Sequence, residues 1–358
     1  METSPATVIQ YFNGEKQNLI PLFQRPYQWM KNSWEGLWND LMTQYQTDGV
    51  GNHFMGAIVS APAVSTPIGV NKYLIIDGQQ RLTTISILLC ALRDHFASQD
   101  DDESRVRAKR IHGVYLINEH QNNDDFLKFV PTHVDREIYK TIAVNVNGEI
   151  NDENRNHLMV GCYRFFRKQI GNEAIDPVRL LITLEQKLQV VMINLSNEDD
   201  PYLIFEGLNF KGSPLTQADL VRNYILMRFQ HSVAPGGKQE TIYQNYWNPL
   251  EESLEDNLTD FLRHYAMLKN RVNIPQGGIY AAIKNQISSM NGIDLIENEI
   301  KDIFKYGKHY EKILCISNNF DDFLVTKLKN IKTQTTTHCP LLLKLFELYS
   351  NDKLKLMT

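Results

Sequence analysis

Four cysteines in 358 residues, Cys90, Cys162, Cys315 and Cys339, make no CxxC pair, so neither a zinc site nor a disulfide framework is indicated. Cys90 lies in an apolar helical run, where a small buried thiol is the expected role. No apolar run reaches the roughly 18 residues of a membrane span. The opening METSPATVIQYF lacks the basic-then-apolar layout of a secretion signal. A cytoplasmic protein with no membrane partner is therefore expected. Neither GxxxxGKS/T nor GxGxxG occurs, which removes support from the common nucleotide folds. Positive charge is also short. The 37 Lys and Arg face 42 Asp and Glu, giving a formal charge of −5 and a pI near 6.1. That balance argues against a protein that coats DNA non-specifically, while leaving room for a local basic groove.

What is present is an ordinary globular composition, 42% hydrophobic and 22% charged, long enough for two modest domains. No internal repeat occurs. In the stretch 19–42, Pro21 and Pro26 keep the first half extended. Trp34, Leu37, Trp38 and Leu41 then recur at helical spacing, with Asn32 as the expected cap and Glu35 completing a capping box. HFMGAIVSA (53–61) reads as a strand in which Gly56 marks a close backbone approach. YLIID (73–77) is a second strand, and Leu82, Ile85, Leu89, Leu92 and Phe96 mark one face of the helix that follows. The charged stretch 98–110 reads as a loop or solvated helix end. IHGVYLIN and LKFVPT look like short strands, and DREIYKTI like a helix start. HLMVGCYRFFRKQI and DPVRLLITLEQKL are helical, and QVVMINLS is a further strand. Thr216 and Asp219 form a capping box after a Gly-Ser-Pro turn. HSVAPGGKQE (231–240) is the best linker, and the remainder is mostly helical. The fold class is thus α+β with a mainly helical region behind it, divided as 1–235 and 236–358.

Three polar clusters interrupt this pattern. The first is Asp77-Gly78-Gln79-Gln80-Arg81, at the seam between a strand and a helix. A strand that feeds a helix through Asp-Gly puts backbone N–H groups and the helix's positive pole at one spot, which suits phosphate. Gly78 permits the tight turn, Arg81 offers a planar fork to phosphate oxygens, and Asp77 can hold a metal or orient water. Gln79 and Gln80 supply neutral donors and acceptors, and Thr83 and Thr84 add hydroxyls. The plain alternative is a helix capped by Asp77, with Arg81 paired to it and solvated glutamines. The second cluster is Gln24-Arg25-Pro26-Tyr27-Gln28-Trp29, where a cation and π faces can grip phosphate and stack on a base, or simply anchor a surface strand. The third joins Asn209 to Asp219 and Asn223, the latter two one helical turn apart on a face that can line a site or serve the helix alone.

IPLFQRPYQW, HFMGAIV, YLIIDGQQRLTT and FEGLNFKGSPLTQADLVRNYI, in this order, resemble the N-terminal domain of GmrSD-like modification-dependent restriction enzymes, a group that includes the phosphorothioate-sensing protein SspE. LKFVPTHVDREIY also resembles a segment of that family. The resemblance runs over roughly 8–230 and implies a ParB/sulfiredoxin-like core that hydrolyses nucleoside triphosphate, GTP or another, with Mg²⁺. Asp77, Gln79, Gln80 and Arg81 are then catalytic, with Asp77 reaching the Mg²⁺. Gly78, Thr83, Thr84, Gln24 and Arg25 then bind the nucleotide, and Pro26, Tyr27 and Trp29 read the DNA modification, a phosphorothioate or a glucosylated base. The implied partners are modified DNA and a nuclease domain or subunit of the His-Asn-His type, with a homo-oligomer also allowed. His338-Cys339-Pro340 has no downstream partner histidine in a nuclease context. We therefore expect no nuclease activity from this chain, and either a shortened chain or one subunit of a split system.

Overall fold

The computed structural model describes residues 1–22, 24–47, 51–63, 69–122, 125–148, 154–196, 199, 204, 216–229, 237–314 and 337–351. The chain divides into two compact units, Met1–Leu208 and Asn209–Thr358. The first is built on a mixed sheet of β1 (Glu2–Thr7), β2 (Lys16–Leu19), β3 (His53–Pro62), β4 (Asn71–Asp77), β5 (Phe129–Val130) and β6 (Leu188–Asn194). Their order across the sheet is β1-β6-β3-β4-β2-β5. β3 runs antiparallel to β4 and parallel to β6, while β2 is parallel to both β4 and β5. Helices α1 (Lys31–Gln46), α2 (Gln79–Ala97), α3 (Asp102–Ile111), α4 (His133–Val144), α5 (Leu158–Ile170) and α6 (Pro177–Gln186) accompany it, an α+β architecture.

α2 is the axis of this unit. Its apolar residues go beyond the single stripe that the periodicity predicts: Ile87, Leu88, Cys90 and Ala91 are buried as well as Leu82, Ile85, Leu89, Leu92 and Phe96. A helix apolar all round must be enclosed, and α2 packs against both α3 and α5. Burial pushes the Cys90 thiol up to about 12, as suits an inert core residue. Arg93, fully buried on the same helix, spends every N–H internally. It donates to Asp94 Oδ1 at 2.7 Å, to His112 Nδ1, and to the carbonyls of Ile142, Ala143 and Asn145 at the end of α4. A buried guanidinium so satisfied serves as a cap that ties α4 to α2.

Two local expectations change. α1 begins at Lys31 with extended Met30 as its cap residue, and Asn32 Oδ1 merely accepts from Ser33 N, so the expected Asn32 cap is not formed. IHGVYLIN is not a strand: α3 continues into a π turn over His112–Leu116, and only Ile117 makes a bridge, to Leu127. A short apolar run carries no period long enough to separate the two states, and burial of Tyr115 and Leu116 beside α2 settles it.

In the second unit the described elements are helices: α7 (Gln217–Met227), α8 (Lys238–Ile242), α9 (Asn248–Leu254), α10 (Leu258–Asn270), α11 (Ile279–Ser288), α12 (Ile293–Ile313) and α13 (Cys339–Ser350). α7, placed before the expected 235/236 boundary, packs on α11 here, with Tyr224 edge-on to Tyr280 and Gln217 Oε1 accepting from Tyr280 N at 3.0 Å. Most of the predicted linker, 231–236, lies outside the described residues. Among the described residues no helix is long and apolar enough to cross a membrane.

Candidate active site

The seam forms where β4 ends at Asp77 and α2 starts at Gln79. Gly78 between them sits at φ 92°, and a Cβ there would lie 2.9 Å from Ile58 Cγ1 on the neighbouring strand. Both the left-handed backbone and the contact demand glycine. Among the described residues no side chain caps α2, and no acidic residue stands in its first turn, so its leading N–H groups keep their positive pole. The plain reading, in which Asp77 caps the helix, is therefore not realised. Asp77 is half-buried, and among the described residues its carboxylate has no hydrogen-bond or ion-pair partner.

Arg81 points back across β3. Its Nη1 donates to Met55 O at 2.5 Å, and Gly56 makes room for it: at φ 97°, a Cβ on Gly56 would be 2.7 Å from the same nitrogen. The register of β3 against β6 shifts between Phe54 and Ala57, so this glycine sits in a bulge. The close approach expected at Gly56 is thus an approach by a guanidinium. Burial pushes the Arg81 guanidinium below its ordinary value, and the fields of Asp77 and Tyr11 oppose that. Tyr11, unforeseen from sequence, is buried under the site and donates to Ile58 O at 3.1 Å.

The second cluster lies directly on the first. Gln79 Nε2 donates to Gln24 Oε1 at 2.9 Å, and Gln24 Nε2 donates in turn to Ile76 O at 2.8 Å. Gln80 holds two peptide groups at once, donating to Pro26 O at 3.1 Å and accepting from Gln28 N at 2.9 Å. The two segments, 50 residues apart in sequence order from Gln28 to Gly78, are one structural feature.

Other residues take different places from those expected. Tyr27 is buried, its hydroxyl 2.8 Å from Thr84 Oγ1 and accepting from Trp34 Nε1 at 2.9 Å. It offers no open π face, which corrects its expected role in reading DNA. Thr83 and Thr84 are also buried, and their hydroxyls return to the carbonyls of Gln79 and Gln80 at 2.7 and 2.8 Å. Back-bonding of this kind leaves them no hydroxyl proton for a phosphate, contrary to expectation. Arg25, Pro26 and Trp29 are half-buried, and Gln28 is exposed. Asp135 escaped the sequence reading. Buried at the start of α4, it accepts Tyr27 N at 2.7 Å and Thr132 Oγ1 at 2.8 Å on one oxygen. The one signal for it was the Thr-x-x-Asp spacing in THVD.

Asn209 lies outside the described residues. Asp219 and Asn223 belong to the second unit. Asp219 closes a reciprocal capping box with Thr216 and accepts from Arg222 Nη2 at 3.0 Å, and Asn223 is fully buried. Both serve α7.

Over residues 8–226 the sequence matches the family model described as GmrSD restriction endonuclease, N-terminal domain. No curated protein gives a significant match.

Proposed function

We propose, from the premise that this chain belongs to the family of GmrSD restriction endonuclease N-terminal domains, that the seam hydrolyses nucleoside triphosphate in response to modified DNA. Membership links the chain to modification-dependent restriction, with modified DNA as target and a nuclease as the associated activity. The observation that carries the hydrolytic reading is Arg81. Its guanidinium is anchored on Met55 O within the gap at Gly56, beside the positive pole of α2 and in the field of the Asp77 carboxylate. Phosphoryl transfer asks for preorganised positive charge and a positioned water, and little else. Gly78 and the first N–H groups of α2 receive the phosphates, with Arg25 beside them, and Arg81 stabilises charge on the transferred group. Gln24, expected to bind nucleotide, is buried with its amide spent on Ile76 O and Gln79, and supports the seam from below. Gln79 borders the attacking water.

Mg²⁺ takes one or two carboxylates and completes its shell with phosphate oxygens and water. Asp77 fits that demand, being a half-buried carboxylate with no hydrogen-bond or ion-pair partner among the described residues. Bound there, the ion would offset charge on the triphosphate. GTP is the first nucleotide to test. Recognition of the DNA mark falls to Pro26 and Trp29 next to Arg25, since Tyr27 is enclosed. A phosphorothioate, with its larger and less hydrated sulfur, suits an apolar proline edge better than a glucosylated base does. DNA cleavage is then the work of a nuclease domain or subunit of the His-Asn-His type.

The test is phosphate release from each of the four triphosphates with Mg²⁺, for wild type and Arg81→Ala, without DNA and with plain, phosphorothioate or glucosylated duplex. We expect turnover that rises with one marked DNA and falls about 10²–10³-fold without Arg81. A folded Arg81→Ala protein that hydrolyses at the wild-type rate would refute the reading. One observation favours a second reading, in which nucleotide is only a conformational ligand: Gln79 and Gln80 spend their amides on the 24–28 segment. Tight stoichiometric retention of nucleotide without turnover would select it.

A further inference from the structure

The peptide groups from Pro26 to Gln28 are held almost entirely by side chains. Gln80 takes Pro26 O and Gln28 N, and the N–H between them, that of Tyr27, goes to Asp135 Oδ2. Asp135 is buried, with 2% of its surface exposed. Its other oxygen faces His157 Nε2 at 3.4 Å. His157 Nδ1 accepts from Met159 N as the cap of α5, which leaves the ring proton on Nε2, pointing at Asp135. Both carboxylate oxygens are therefore oriented before any ligand arrives.

Asp135 is also placed with respect to α2. α4, which begins two residues before it, is tied along its length to α2 by the hydrogen bond between Tyr139 and Ser86 and by Arg93 on its last carbonyls. Tyr27, in turn, lies between the two helices, with its N–H on α4 and its hydroxyl on Thr84 of α2. An extended segment has no hydrogen bonds of its own, so its geometry is whatever these outside partners impose. From this we infer that Asp135 is the positioning residue of the DNA-reading segment. By fixing Tyr27 N it sets the outward presentation of its neighbour Pro26 and of Trp29, and it does so without touching DNA or nucleotide. The inference rests on the proposed function and adds to it a device that governs the response to DNA separately from hydrolysis.

The experiment measures triphosphate turnover against concentration of the stimulating marked duplex, in wild type, Asp135→Ala, Asp135→Asn and Thr132→Val. Loss of a charged acceptor for a buried N–H should raise the half-stimulating DNA concentration about tenfold in Asp135→Ala. DNA-free turnover should stay within about twofold, because nothing at the seam loses a partner. Asparagine still offers an oxygen to Tyr27 N, so Asp135→Asn should recover most of the response. Thr132→Val, which frees the carboxylate to rotate, should shift the response in the same direction by less, and it carries the test if Asp135→Ala does not fold. Unchanged DNA dependence in the folded variants would overturn the inference, as would a parallel loss of DNA-free turnover. A wild-type protein that neither turns over nor responds to marked DNA would instead sink the proposed function, and the inference with it.

Discussion

The bulge at Gly56 allows a prediction in which stability and chemistry part company. In Gly56→Ala the new Cβ would stand 2.7 Å from Arg81 Nη1, 3.4 Å from Cζ and 3.6 Å from Nη2. The atoms it meets are the free end of a long side chain, so the guanidinium gives way and the strand holds. The folding cost then has two parts. Forcing a β-carbon onto a residue at φ 97° costs about 1–2 kcal/mol. Losing the Arg81 bond to Met55 O costs about 1 kcal/mol more, since the displaced donor regains water. A total of about 2–3 kcal/mol lowers the Tm of a unit the size of Met1–Leu208 by roughly 4–12 °C, and the protein remains folded at 25 °C. The chemistry suffers far more, because moving a charge-stabilising group by about 1 Å costs on the order of 10²-fold in rate. Calorimetry and phosphate release on the same sample make the comparison. Wild-type turnover in Gly56→Ala would refute the claim that the Met55 anchor places Arg81 for catalysis. Activity that falls only in step with the unfolded fraction would refute it equally.

Gly78→Ala should behave in the opposite way, because the Cβ there meets Ile58 Cγ1 at 2.9 Å and Cβ at 3.3 Å on a fully buried strand residue that cannot swing aside. We expect about 2–5 kcal/mol of destabilisation from strain and overpacking together, read as a lower urea midpoint; a midpoint within error of wild type would contradict it. Lys16 should titrate well below an ordinary lysine: burial, with Lys128 close by, lowers its ammonium to about 8. The unfolded chain keeps that proton to about pH 10.4 and so binds more protons than the folded one between the two values. The Lys16 contribution therefore makes stability rise with pH from about 8 to about 10.4, after a constant penalty below that window. Methyl-lysine NMR of the reductively methylated protein should find this amine midpoint near 8, moving upward in Lys128→Gln; a midpoint at the ordinary lysine value would dismiss it.

Much of the first unit was legible because its signals are local. β3, β4 and β6 announce themselves as short β-rich runs, and α1, α2, α5 and α6 as apolar residues at helical spacing. The capping box at Thr216 and Asp219 formed as its spacing implied. Gly56 and Gly78 were recognisable as sites of special backbone, since a glycine inside a strand or between strand and helix has few other uses. β1 and β2 carried no such pattern. Exposed at its edge and interrupted by Pro5, β1 is a strand because β6 pairs with it along its whole length.

The site divides along the same line. The composition of its two motifs, an acid, a glycine, amides and an arginine in one and a cation among aromatics in the other, could be read from the order of residues alone, and so could their family likeness. Which groups face outward could not. Three-dimensional packing enclosed Tyr27, Thr83 and Thr84, gave Arg81 a carbonyl on another strand, and brought Gln80 and Asp135 to the backbone of residues 26–28. The reason is physical. Helix and strand propensities act over a few neighbouring residues, whereas a buried polar group must find a partner wherever the folded chain supplies one. For Tyr27 N that partner lies 108 residues away.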